Sequence, residues 1–302
     1  MTATSVTSVT SVTHVMPEFH YKLPMRAGGS RPGSHPGSSF GAGQAFAMHA
    51  RLFDHPDPRR VDLRASLRAI PAEWLVRVHL QRVAVPVYVV VDVSASMYFG
   101  LLKSKLHVAA DFVSALGYSA FRAGDQVGMV AFDKTEREAL YTPARYGQGV
   151  GDVMAATLRN CKLMPGVEGS ADTIRGLEQA VLKLAGRQAL IFIVSDFHWP
   201  LARLPAVLDT LTHAYVIPMV VWDQAEIEPP AHGSLLSVDD VETGARKTIW
   251  LRGKTRRDWR DAVARRRSEI NALFDKRGLR PFYVHGTFNA EALSRYFLEA
   301  VV

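Results

Sequence analysis

The residues of this 302-residue chain best suited to chemistry are Asp92, Ser94 and Ser96, in the stretch Asp92-Val93-Ser94-Ala95-Ser96-Met97. One carboxylate and two hydroxyls at alternate positions can converge on a single point just past a strand end. With no Cys or His among them they are hard oxygen donors, the set that suits Mg²⁺, Mn²⁺ or Ca²⁺. The same residues also suit a turn and the N-cap of a following helix. A second acid weighs against that simpler use. Asp196 follows the run Ala189-Leu-Ile-Phe-Ile-Val194 much as Asp92 follows Pro86-Val-Tyr-Val-Val-Val91. Short apolar runs of this kind read as strands buried on both faces. Two carboxylates at the ends of two buried strands are hard to explain as packing. Asp92, Ser94, Ser96 and Asp196 are therefore the candidate metal ligands. His198, two residues beyond Asp196, could serve as a ligand or acid–base group, although a single His in such a loop is more often a surface residue.

The elements that must position these residues can be read from hydrophobic periodicity. Alternation at Trp74, Val76, Val78 and Leu80 predicts a strand with one wet face over 74–83. The strand ending at Asp92 is followed by a predicted helix over 103–122, then a strand at Gln126–Phe132 and a short strand near Glu138–Tyr141. Helices are expected over Gly147–Met164 and Asp172–Leu184, the strand at Ala189–Val194 comes next, and a helix over 201–212 leads to a strand at Tyr215–Trp222. A hairpin over 234–251, a long helix over 256–277, a strand at Pro281–His285 and a helix from Asn289 to the end complete the pattern. Strands alternating with helices of this length indicate an α/β fold, a doubly wound, mainly parallel sheet with helices on both faces. Ligands of such sheets sit at the carboxyl ends of the strands, where both acids fall. Upstream, the Ser-Val-Thr repeats of 1–16 are too poor in large apolar residues to offset their ordering entropy, and a disordered tail is expected. Residues 17–85 read as an irregular and β N-terminal subdomain. Within it 24–43, dense in Gly, Pro and Ser, are expected as irregular backbone.

Composition narrows the function. Apolar residues make up 48% and charged residues 22%, which is ordinary for a globular chain. The single Cys161 excludes an intramolecular disulfide and a Cys-based zinc cluster. With no long apolar run and no secretory leader pattern, a soluble cytoplasmic protein is expected. Eleven basic and four acidic side chains fall between 251 and 280, a surplus of seven that accounts for the whole net charge of +7. Its apolar stripe (Trp259, Val263, Ile270, Leu273, Phe274) implies a helix packed on the sheet with a solvated basic face. No nucleic-acid motif accompanies it. There is no Walker A sequence, no Gly-x-Ser-x-Gly elbow and no Gly-x-Gly-x-x-Gly after the strand at 86–91. Arg59, Arg60 and Asp62 are expected in a structural ion pair holding the N-terminal subdomain.

Asp92-x-Ser94-x-Ser96 followed by Asp196 resembles the von Willebrand factor A fold over about 86–300, with the hairpin as an insertion. The resemblance implies a metal-ion-dependent adhesion site with these four residues as ligands. The family's remaining ligand, a Thr before a helix, aligns with Ala171 in Gly169-Ser170-Ala171-Asp172-Thr173, so Ser170, Asp172 or Thr173 would have to substitute. Further upstream, Gly33-Ser34-His35, Gly41-Ala42-Gly43-Gln44-Ala45-Phe46, Asp57-Pro58-Arg59-Arg60-Val61-Asp62 and Leu75-Val76-Arg77-Val78 extend the match. This order is similar to the domain-of-unknown-function-58 family, although Leu63 and His55-Pro56 depart from its usual pattern, and many members carry two N-terminal membrane helices that have no counterpart here. That resemblance implies a non-enzymatic adaptor or maturation factor. Its partners would be a MoxR-type AAA+ ATPase and a client protein, engaged through an acidic side chain that completes the shell of a bound Mg²⁺, Mn²⁺ or Ca²⁺. A methanol dehydrogenase system is one such client. The alternative is a small metal-dependent hydrolase using Asp92 and Asp196, with His198 as base.

Overall fold

The computed structural model describes residues 17–23, 28, 31–41, 45–163, 173–229, 235–239, 246–250 and 253–299. The N-terminal elements are β1 (Pro32–Gly41), β2 (Ala45–Arg51), α1 (Leu63–Arg68) and β3 (Leu75–Val83). Then come β4 (Pro86–Asp92), α2 (Lys105–Ala123), β5 (Gln126–Phe132), β6 (Thr142–Arg145), α3 (Val150–Arg159), α4 (Thr173–Leu182), β7 (Leu190–Ser195), α5 (Leu204–Asp209) and β8 (Tyr215–Trp222). The last elements are α6 (Gln224–Ile227), the antiparallel pair β9 (Leu235–Asp239) and β10 (Arg246–Trp250), α7 (Gly253–Asp275), β11 (Phe282–His285) and α8 (Ala290–Glu299).

Six strands form the main sheet in the order β11-β8-β7-β4-β5-β6. All neighbours are parallel except β5 and β6. This is a doubly wound, mainly parallel sheet. The chain steps from β4 to β5 on one side and later to β7 on the other, so β4 and β7 flank the topological switch point. The period of two along β4 feeds two cores. Val87, Val89 and Val91 join a cluster with α2, α3 and α8, whereas Tyr88 and Val90 join one with α4, α5 and α7. Helix α3 crosses α2 where Gly117 meets Gly151, and a Cβ built on Gly117 would stand 2.2 Å from the Gly151 Cα. Only glycine at both positions permits that crossing.

Helix α7 buries Ile270 and Phe274 against the sheet, as its stripe predicts. Its basic residues, and those of the turn that follows it, are in part used internally. Arg277 pairs with Asp209, Arg260 with Glu228, and the Arg267 guanidinium lies over the Tyr283 ring. Near Glu138–Tyr141 the short strand expected from sequence is instead a 3₁₀ turn at Glu138–Leu140, and the strand begins at Thr142. The Thr142-Pro-Ala-Arg145 edge pairs with β5 through a register shift, which admits the proline.

The three-stranded N-terminal sheet has the order β1-β3-β2, with β3 alternating buried Val76, Val78 and Leu80 against wetter neighbours. The irregular backbone expected over 24–43 is corrected for residues 32–41, which form the edge strand β1. Two register shifts absorb its prolines. Gly33 and Gly37 lie flush against β3, where a Cβ would meet Ala84 N at 2.3 Å and Gln81 O at 2.5 Å. The tail over 1–16 lies outside the described residues. Phe19 and Tyr21 sink into the α2 face of the core. There the buried Asp125 gathers three elements. It accepts from the Tyr21 hydroxyl at 2.6 Å and from Val85 N at 2.8 Å, and the His35 Nε2 lies 2.7 Å away.

Asp62 caps α1 by accepting from Arg64 N and Ala65 N, and pairs with Arg77 at 2.7 Å and His49 at 3.1 Å. Arg60 pairs with Asp57 at 3.1 Å. The ion pair expected among Arg59, Arg60 and Asp62 is corrected: Asp62 is met by Arg77 of β3 and His49 of β2, and Arg60 by Asp57. The Ala65 amide, then Arg77 and His49, hold its carboxyl well below the usual range.

Two outcomes follow for stability. Replacing Asp125 by Ala strands the Tyr21 hydroxyl, the Val85 amide and His35, and should cost about 3 kcal/mol or more in urea unfolding, against about 1 kcal/mol for Tyr21→Phe. Because the folded carboxyl of Asp62 is depressed, its contribution is present above the ordinary carboxylate value of 3.8 and disappears as pH falls below it. The stability gap between wild type and Asp62→Asn should therefore close on acidification through that window.

Candidate functional site

Parallel pairing of β4 with β7 sets the ends of both strands side by side, with Val91 opposite Val194. Asp92 ends β4, and Asp196 follows β7. Both carboxylates are completely buried. Past Asp92 the chain turns through Ser94 into a 3₁₀ helix at Ala95–Tyr98, and the Ser94 and Ser96 hydroxyls stand 3.3 Å apart. The Ser96 hydroxyl is close enough to the Asp196 carboxylate to favour its ionised form. The structure thus assembles all four sequence-predicted residues at the switch point. Of the substitutes, Thr173 opens α4 and is buried. Ser170 and Asp172, with Ala171, lie outside the described residues.

Each carboxylate has fixed protein donors. Asp92 Oδ1 accepts from Ser94 N at 2.9 Å. Its Oδ2 accepts from the Ser195 hydroxyl at 2.6 Å and from Trp199 Nε1 at 3.2 Å. Asp196 Oδ1 accepts from His198 N at 3.1 Å, and its Oδ2 accepts from Lys105 Nζ at 2.6 Å. The same ammonium donates to Glu226 Oε1, also at 2.6 Å. Glu226 Oε2 accepts from Asp223 N, closing the capping box of α6. His198 stacks on Trp222 with its Nε2 3.6 Å from Glu226 Oε1.

The loop after β7 is braced from three sides. Trp222 Nε1 donates to the Asp196 carbonyl at 2.9 Å. Arg266 of α7 donates to the carbonyls of Phe197 and Trp199. Phe197 adopts a left-handed φ of 53°, a conformation that costs a bulky residue about 1–2 kcal/mol. Burial of its ring against Trp199 and Phe274 holds it there.

The electrostatics follow from burial and pairing. Desolvation, with the neighbouring Asp196 charge, pushes the Asp92 carboxyl up to about 6. Desolvation acts on Asp196 in the same sense, but Lys105 and His198 reverse it and the net direction is downward. Glu226 is likewise raised by burial and lowered overall by His198 and Lys105. Burial would discharge Lys105, yet Asp196 and Glu226 hold its ammonium protonated.

Sequence reasoning missed Lys105, Glu226, Ser195 and Trp199. For Glu226 a signal existed, since Asp223-x-x-Glu226 after β8 is a capping-box pattern. For Lys105 the signal is weaker: a cation in the first turn of α2 opposes the helix dipole and calls for a compensating acid. Asp196, His198 and Glu226 also offer ligand atoms within 4.8 Å of one another. The donor types suit a hard or borderline cation. The arrangement fits such an ion poorly at Asp196 and Glu226, because these two carboxylates already converge on the Lys105 ammonium.

Removing that ammonium leaves the buried Asp196 carboxylate, and the partly exposed Glu226, without the cation between them. Lys105→Met should lower stability by about 3–5 kcal/mol in denaturant unfolding. Lys103→Met, which breaks only the exposed pair with Asp111, should change it by less than about 1 kcal/mol.

No curated protein matches this chain. Among solved structures it is similar to an aerotolerance-related membrane protein from Bacteroides fragilis, at 15% identity over 72% of this chain and 98% of that one, with a TM-score of 0.42. It is similar to BatB from Bacteroides thetaiotaomicron at 16% identity over the same shares, with a TM-score of 0.43. A von Willebrand factor type A protein from Catenulispora acidiphila shares 9% identity over 74% of this chain and 43% of that one, with a TM-score of 0.34. Residues 53–269, which contain β3 through most of α7 and every side chain of the site, match the family described as protein of unknown function DUF58, and the chain belongs to that family.

Proposed function

We propose that this protein is a non-enzymatic, cytoplasmic adaptor that docks protein partners on the carboxyl edge of its main sheet. The observation that carries this reading is a rigid, charge-paired base beneath an exposed apolar rim. Phe99, Leu101 and Leu102 are 37%, 72% and 94% exposed. They follow the Ser94–Ser96 turn directly. The rim is pinned at its roots, where Lys105 N donates to the Phe99 carbonyl at 2.8 Å and Leu101 N donates to Asp223 Oδ2 at 3.3 Å. A loop with ordered ends and exposed leucines loses little entropy when a partner covers it.

The partner class comes from the family resemblance: a MoxR-type AAA+ ATPase, with which the adaptor acts in assembly or metal activation of a client, a methanol dehydrogenase system being one example. Among the described residues no helix is long and apolar enough to cross a membrane. The hydrolase alternative fares worse on geometry. Asp92 and Asp196 have no exposure through which to meet a substrate. The groove of about 480 Å³ beside His198 is walled by Trp259, Val263 and Arg266, with neither acid in its lining.

Affinity capture with the tagged full-length chain tests the proposal. A MoxR-type ATPase should be recovered with wild type and largely lost with Leu101→Asp/Leu102→Asp, a variant that leaves the core untouched. Undiminished recovery with that variant would remove the rim from the reading. Turnover of phosphoester or peptide libraries that is abolished by Asp92→Asn would favour the hydrolase instead.

A further inference from the structure

We infer that the Lys105 ammonium takes the place of a divalent cation between Asp196 and Glu226, supplying without metal the positive charge that these two acids share. The inference concerns the chain alone and holds whichever partner the rim binds.

Three observations converge on it. First, the ammonium is central. Its side chain is 2% exposed, and it stands 2.6 Å from Asp196 Oδ2 and 2.6 Å from Glu226 Oε1. Those oxygens come from the β7–α5 loop and from α6, while Lys105 itself begins α2. One cation thus ties three elements together, as a metal ion would.

Second, the position is costly for any lysine without that task. The first turn of a helix repels positive charge, and a buried ammonium loses its hydration. The two acids offset both effects, and the lysine in turn offsets the burial of the acids. Each partner is explicable only with the others present.

Third, the remaining oxygens of the cluster already have partners within the protein. Both oxygens of Asp92 accept from Ser94, Ser195 and Trp199. The Ser94 and Ser96 hydroxyls stand 3.3 Å apart, facing each other. The Phe99 ring, 6.0 Å from the ammonium, covers it on the rim side. A divalent ion held between Asp196 and Glu226 would have to expel the ammonium and the two hydrogen bonds it makes there.

The consequence is a site whose shape does not depend on divalent ion supply, and whose shell an arriving partner carboxylate does not complete. The sequence pattern of a metal-dependent site is kept, with a lysine of the same chain as the ion.

Mn²⁺ binding to the purified full-length chain, followed by loss of the free-ion paramagnetic resonance signal, tests this without any partner. Wild type should leave millimolar Mn²⁺ free, and its thermal midpoint should not move with Mg²⁺ or with chelator. Lys105→Ala should gain one saturable Mn²⁺ site per chain and be stabilised by Mn²⁺, and Lys105→Ala/Asp196→Asn should lose that site again. A saturable site in wild type that Asp196→Asn abolishes would overturn the inference. A folded Lys105→Ala that ignores Mn²⁺ would overturn it as well. If Lys105→Ala does not fold, the wild-type titration alone decides.

Discussion

The Lys105 ammonium, held between Asp196 and Glu226, is the contact on which the carboxyl edge of the sheet depends. An aspartate with no exposure is costly to bury as an anion, and an unexposed lysine is equally costly as a cation. Here the two costs cancel because β7, α2 and α6 deliver the charges to one point. Glu226 adds a second acid, and its other oxygen closes the α6 capping box, so the ion pair is also anchored to backbone. The rim that follows Ser96 is therefore mounted on a fixed base.

That base is supported from both layers. On the α7 side, Arg266 holds the Phe197 and Trp199 carbonyls, which gives part of the basic segment a structural use. From β8, Trp222 holds the Asp196 carbonyl. The left-handed Phe197 backbone between these contacts is a conformation that the surrounding ring packing and hydrogen bonds keep in place. At the opposite end of β4, Asp125 binds Tyr21, His35 and the Val85 amide, so the N-terminal sheet and the main sheet share one buried acid.

Much of this was legible from the chain. The runs ending at Asp92 and Asp196 have the continuous β-branched character of strands covered on both faces, and the structure covers them with two separate cores. Helical and strand periods located most elements to within a few residues, and Gln126–Phe132 and Tyr215–Trp222 coincide with β5 and β8. The failures were local in origin. Residues 32–41 look like loop because Gly and Pro weaken strand propensity, yet pairing with β3 and two register shifts overrides that preference. Glu138–Leu140 carries no periodicity strong enough to separate a 3₁₀ turn from a strand.

The doubly wound order of elements, with Asp92 and Asp196 at the ends of buried strands, can be read from the chain alone, because periodicity and run length are local properties. What pairs with those acids cannot be read that way. Lys105 lies 91 residues from Asp196 and 121 from Glu226, separations at which no spacing rule operates. Their meeting depends on the parallel register of β4 and β7 and on where α2 and α6 begin. A pattern of oxygen donors states which cations could be bound. Which cation stands among them, a metal or an ammonium of the same chain, depends on which charges the folded chain brings to one point.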